Sequence, residues 1–164
     1  MVVSTVKAIK QLRPLWSSFG PRLRTLSPAA DYCLNISFAD GSSGIVSLKD
    51  AIYSLPGLIP LRDPATFSDA VLGEYGWEVG WLQFDIQIGS DTLFADMLEQ
   101  RSETPADRFT VWRIRNNLSI SAASRELGVT VRTISAYGSG ARPIPRTVQL
   151  ACIGWEEERR RKAA

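Results

Sequence analysis

Four residues within six positions, Val131, Arg132, Thr133 and Ala136, hold the chemistry of most interest in this sequence. An arginine guanidinium can donate two parallel hydrogen bonds to the O6 and N7 atoms of guanine, and a threonine can hydrogen-bond a base edge or touch a thymine methyl group. Valine and alanine offer apolar contact to thymine alone, so a face built from these four would read bases sparingly, with Arg132 leading. Catalytic chemistry finds less support. The chain has no histidine, which removes histidine-based proton transfer, histidine-assisted nucleophiles and the commonest zinc ligand together. Cys33 and Cys152 lie far apart, each in an apolar run and neither with a second cysteine at ligand spacing, so buried reduced thiols are expected. Asp40, Asp85 and Asp91 are the candidates for a carboxylate site. Asp40-Gly41 suits a turn and Asp91 a helix start, so only Asp85 lacks a backbone reason. No catalytic residue, metal site or cofactor is expected.

Charge separates the chain into unlike parts. Residues 1–106 hold eight Lys or Arg against twelve Asp or Glu, a balance of −4, and residues 107–164 hold eleven against five, a balance of +6. A basic C-terminal part suits a polyanion, and an acidic N-terminal part has another task. No stretch approaches the roughly 18 apolar residues of a membrane-spanning helix, and the basic start lacks a secretory core, so a cytoplasmic protein without membrane contact is expected.

The elements that must position the four residues follow from local signals. Thr104-Pro105-Ala106-Asp107 starts a helix, with Thr as N-cap, Pro at the first position and an acid at the third. Phe109 and Trp112 give that helix an apolar stripe, and Asn116-Asn117 ends it. Ser119 caps a second helix, Ile120 to Leu127, which is rich in small residues and stops at Gly128. Thr130 caps a third, with Ile134 and Tyr137 facing inward and Val131, Arg132, Thr133 and Ala136 facing out. Small residues on the second helix allow a close crossing that leaves the outer face of the third, Thr130 to Tyr137, free to enter a major groove.

Upstream the period changes. Residues 1–21 carry three positive charges and no negative one and predict a basic arm. From Asp31, alternation of Tyr32, Leu34, Ile36 and Phe38 predicts a strand that turns at Asp40-Gly41 and returns through Ile45, Val46 and Leu48. Lys49 to Tyr53 reads as a short helical turn, and Pro56, Gly57, Pro60 and Pro64 as a loop-rich connection. Trp77, Val79 and Trp81, then Phe84, Ile86 and Ile88, predict a second strand pair with a register change near Leu82, and a helix follows from about Asp91 to Gln100. The organisation is an arm (1–21), an α+β domain (22–100), a linker (101–107) and a helical domain (108–164).

The run LSISAASRELGVTVRTISAYGSGARPIP resembles the helix-turn-helix of the Cro and phage-repressor, or lambda-repressor-like, family, through Leu118-Ser119, Leu127-Gly128-Val129, Thr133-Ile134-Ser135, Gly140 and Arg142-Pro143. The resemblance implies an all-α domain binding double-stranded DNA, with Val131, Arg132, Thr133 and Ala136 reading bases. It places Ser119, Thr130, Ser139, Arg142 and Arg146 at phosphate, where hydroxyls, helix-start N–H groups and cations position the protein without specifying sequence. Two positions depart from the pattern. Ile120 stands where the family often has a DNA-contacting glutamine. Gly138 stands where an acid often pairs with the arginine of the first helix, here Arg113, leaving Arg113 for another partner or for phosphate. Glycine there costs about 1 kcal/mol relative to alanine and predicts a recognition helix that frays or ends early. In the N-terminal part, Phe38, Asp40 and Gly41 with Trp81 and Asp85 resemble the bacterial domain-of-unknown-function family twenty-four forty-two. That resemblance implies a small α+β domain of regulatory or antitoxin-like role, with a toxin-like protein as partner.

Together these observations predict a small antiparallel β-rich domain followed by an all-α helix-turn-helix domain, acting as a homodimeric bacterial transcription regulator. The alternative is an antitoxin-like or scaffold protein acting through the N-terminal domain.

Overall fold

The computed structural model describes residues 20–101 and 104–164. The basic arm therefore lies outside the described residues, apart from Gly20 and Pro21. The chain is of mixed α+β class, with two three-stranded antiparallel sheets followed by helices.

The first sheet is a meander of β1 (Leu23–Ala29), β2 (Cys33–Phe38) and β3 (Ser43–Ser47). Alternation in β2 buries Leu34, Ile36 and Phe38, because successive side chains in a strand point to opposite faces. Its turn is closed by Asp40, whose Oδ1 accepts from the Ser42 backbone at 2.9 Å and from the Ser42 hydroxyl at 2.6 Å. Tyr32 is not part of the strand: Asp31 and Tyr32 have φ of 57° and 58°, and pairing begins at Cys33. The Tyr32 ring instead packs edge-on to Phe67 at 5.5 Å, and its hydroxyl donates to the Arg62 carbonyl at 2.6 Å. Strand β1 has no clear period in the sequence because its pairing shifts between Leu23 and Thr25 and it contains Pro28. Among the described strands it pairs with β2 alone, and an edge position is where proline is tolerated.

The proline-rich section is helical rather than loop: α1 (Lys49–Ser54) leads into a 3₁₀ segment over Pro56–Arg62 and then α2 (Pro64–Ser68), capped by Asp63. Pro56 and Pro64 occupy helix starts, where no N–H is needed. The second sheet consists of β4 (Val71–Leu72), β5 (Glu78–Trp81) and β6 (Ile86–Gly89). Gly76 joins the sheets, at φ 76° and with a Cβ that would lie 2.1 Å from the Leu23 carbonyl oxygen, so no other residue fits. The register change after Trp81 is a 3₁₀ turn ending at Asp85, which adopts the left-handed conformation. That is the backbone reason Asp85 lacked, since a short polar side chain tolerates this region. Helix α3 (Ser90–Gln100) is capped by Gly89, and Asp91 lies in its first turn rather than at the cap. Burial raises the Asp91 pKa, against a hydrogen bond from the Thr92 N–H.

After Arg101 the capping box appears as expected: Thr104 Oγ1 accepts from Asp107 N at 3.1 Å, and Asp107 accepts from Thr104 N at 3.3 Å. Helix α4 (Pro105–Arg115) precedes α5 (Ile120–Leu127), α6 (Val131–Gly138) and α7 (Arg146–Ala163). Two cores form. One joins the sheets to α3 through residues such as Leu34, Phe38, Phe67, Trp81, Leu93 and Met97. The other gathers Phe109, Trp112, Leu118, Ala123, Ile134, Tyr137 and Cys152. Helix α4 belongs to both, because its Ile114 is buried in the first core. Beside it Arg115 forms ion pairs with Asp96 and, at 2.8 Å, Glu99 of α3. No described helix is long and apolar enough to cross a membrane.

Both cysteines are free, and they differ in access. Burial, with a smaller contribution from Glu156, pushes the Cys152 thiol up to about 11, whereas Cys33 is only half-buried. A disulfide reagent at pH 8 is expected to label Cys33 first and Cys152 only after denaturation, since the thiolate is the reacting form. Equal rates in the native protein would contradict this packing.

Candidate nucleic-acid interface

The α5–α6 pair is held by its turn. Ser119 Oγ accepts from Ala122 N at 3.0 Å and opens α5. Gly128 closes it at φ 66°, a conformation glycine enters without steric cost. Val129 N then donates to the Ser124 carbonyl at 3.1 Å. The Ser124 hydroxyl in turn donates to the Val129 carbonyl. Thr130 Oγ1 accepts from Thr133 N at 3.1 Å to start α6. Ala123 is fully buried in the core that α5 and α6 share, which is the role read from the small residues of α5. Ile134 and Tyr137 turn inward, with the Tyr137 ring edge-on to Phe109 at 5.7 Å.

Outward, α6 presents Val131, Arg132 and Ser135, all exposed, while Thr133 and Ala136 are half-buried. Thr133 shares a hydrogen bond with the Thr130 hydroxyl at 2.9 Å, so its side chain is partly committed to the cap. Ser135 was missed by sequence reasoning although helical spacing from Val131 and Arg132 places it on their face. Arg132 has no ion-pair partner among the described residues.

The six expected phosphate contacts separate. Ser119 and Thr130 stand at the starts of α5 and α6 with their oxygens used as caps. Ser139 is exposed and its hydroxyl donates to the Ala136 carbonyl at 3.3 Å. Arg142 is exposed beyond α6, at a cleft of about 780 Å³ that Asp40 and Arg101 also line. Arg146 is exposed at the start of α7. Arg113 departs from expectation: it is 8% exposed and donates from Nη1 to the Leu118 carbonyl at 3.0 Å. Desolvation lowers its pKa to about 10, which leaves it charged at neutral pH. A guanidinium enclosed in this way holds the α4–α5 connection together and is withdrawn from a phosphate backbone.

The two departures at Ile120 and Gly138 have local explanations. Ile120 is half-buried against the second core, so an apolar residue gains there what a glutamine would lose in solvation. Helix α6 runs through Gly138 and does not end early. The Thr110 hydroxyl donates to the Gly138 carbonyl at 3.4 Å, and a Cβ at this position would lie 3.3 Å from that hydroxyl. Glycine lets α6 approach α4 closely.

The chain is similar to a solved structure, the crystal structure of NE0471 from Nitrosomonas europaea, described as a "putative DNA binding protein". The two share 34% sequence identity and a TM-score of 0.59, over 84% of this chain and 88% of the other. The chain belongs to the family of NE0471. No family model and no curated protein matches the chain.

Proposed function

We propose that this protein is a cytoplasmic, sequence-specific DNA-binding regulator of transcription, in which α5 and α6 form a helix-turn-helix and α6 enters the major groove. The observation that carries this is the exposed face of Val131, Arg132 and Ser135 on a helix fixed from behind by Ile134 and Tyr137. The net charge of +6 over residues 107–164 and the description of NE0471 support it. Arg132 is the chief base-reading residue, and Ser139, Arg142 and the α5 and α6 starts position the phosphate backbone. Asp40, Asp85 and Asp91 each serve local backbone geometry, which favours a binding protein over a hydrolase.

Selection from a random duplex pool by the purified chain is the direct test. A recurring motif is expected, with affinity falling steeply as salt rises, because each neutralised phosphate releases counterions. Failure to enrich any sequence, or a flat salt response, would overturn the proposal.

A second reading rests on a different surface. Val71, Leu82 and Phe84, with Thr66 and Asp69 across from them, line a small depression beside the second sheet, and Leu82 is 76% exposed. Exposed apolar side chains grouped in this way suit a protein partner, toxin-like in the antitoxin reading. Such a complex would survive removal of the Arg132 charge.

A further inference from the structure

Helix α7 turns Val148, Cys152 and Trp155 toward the core, while Leu150 and Ile153 on its other side are 50% and 60% exposed. Arg146, Leu150, Ile153 and Glu157 recur at intervals of four, three and four, the spacing that keeps side chains on one stripe of a helix and forms the seam of a coiled coil. The stripe reads cation, apolar, apolar, anion. Adjacent to it Gly154 faces open space, where a Cβ would meet no neighbouring element within 4 Å.

We infer that this stripe is a self-complementary interface that takes a second copy of the same chain, with the two α7 helices antiparallel. The order of the four residues is what selects the partner. Run against its own reverse, the stripe sets Leu150 opposite Ile153 and Arg146 opposite Glu157, and two-fold symmetry repeats both pairs. Every position then meets its complement. In parallel, Arg146 would face Arg146 and Glu157 would face Glu157, and like charges opposed in this way disfavour the arrangement. A two-fold contact of this kind is isologous and closed, so it stops at the dimer.

The charges are available for exchange. Arg146 has no ion-pair partner among the described residues. Glu157 pairs within its own helix with Arg160 at 2.7 Å and Arg161 at 3.3 Å, and those arginines are 75% and 79% exposed. Exposed pairs of this kind hold little free energy. Ile153 and Arg146 also edge a groove of about 480 Å³ between α4 and α7, floored by Phe109, Trp112 and Cys152. The apolar surface therefore continues past the stripe, which two helices alone need in order to approach the roughly 1,200 Å² of a stable interface. Arg146 thereby belongs to a subunit contact instead of a phosphate.

The test is the mass of the full chain, measured without DNA by sedimentation across a concentration series, so that its failure and failure of the DNA-binding reading are separate results. The wild type is expected to dimerise. R146E alone and E157R alone are each expected to weaken the dimer about tenfold or more, because each turns both symmetric pairs repulsive. The double variant R146E/E157R restores complementarity and is expected to return near the wild-type affinity. I153D is expected to be monomeric. An acid near the start of α7 and a cation nearer its end both suit the helix dipole, and circular dichroism of each variant confirms that the fold is intact. A wild type that remains monomeric, an I153D variant that still dimerises as wild type, or a double variant no better than the singles would overturn the inference.

Discussion

Trp81→Ala is expected to lower the unfolding free energy by about 4 kcal/mol, within the range for deleting a large buried aromatic side chain. Trp81 is 1% exposed and sits at the end of β5, where the second sheet meets α2. Its ring lies 5.8 Å from that of Phe67, and its Nε1 donates to the Phe67 carbonyl at 2.9 Å. Truncation removes the ring contact, the hydrogen bond and the volume together. Trp81→Phe separates these contributions. The Phe67 carbonyl also accepts from Ala70 N at 3.3 Å, so losing the indole donor costs about 1 kcal/mol rather than the full penalty of an unsatisfied group. Urea denaturation of the three proteins checks the order. A Trp81→Ala loss below about 1.5 kcal/mol would mean that the second sheet and α2 hold together without the indole.

Arg132→Ala is expected to cut discrimination between the selected motif and a scrambled duplex by about 5- to 150-fold, the equivalent of one bidentate contact worth about 1–3 kcal/mol. The reason is the poverty of the surrounding face. Val131 can contribute only apolar contact, Thr133 is half-committed to capping α6, and Ser135 is short. With few readers, removing the strongest should flatten preference while nonspecific affinity changes much less. Arg142→Ala is the counterpart in the same competition assay: as a positioning cation it should weaken binding to both duplexes alike and reduce the salt slope by about one. If Arg132→Ala weakened both duplexes equally, base reading would belong elsewhere on α6.

The C-terminal helices were open to sequence reasoning because their signals are local. Thr104, Ser119 and Thr130 cap, Gly128 stops a helix, and Ile134 and Tyr137 mark an inner face, and each does so in the structure. The β2–β3 hairpin was open for the same reason. Strand β1 was not, since its place depends on pairing with β2 across a bulge and its own residues show no period. The proline-rich section misled because proline ends helices and also begins them. For the interface, the distinction that sequence could not draw was between an arginine on a surface and one inside. Arg113 and Arg132 are the same residue type on neighbouring amphipathic helices, yet one is enclosed against the Leu118 carbonyl and the other is exposed. Burial depends on how α4 meets α5, and that is a property of the assembled core.

Ile114 bears on how such proteins can diversify. Because this residue of α4 completes the core of the sheets while Phe109 and Trp112 of the same helix complete the other, α5 and α6 are not a cassette that could be cut at residue 108 and grafted onto another domain. A cut there would discard the Thr104 cap and strand an isoleucine in water. Recombination would have to carry α4 together with the surface of α3 that receives it, so under the proposed DNA-binding role a change in preference would be channelled into the outer face of α6.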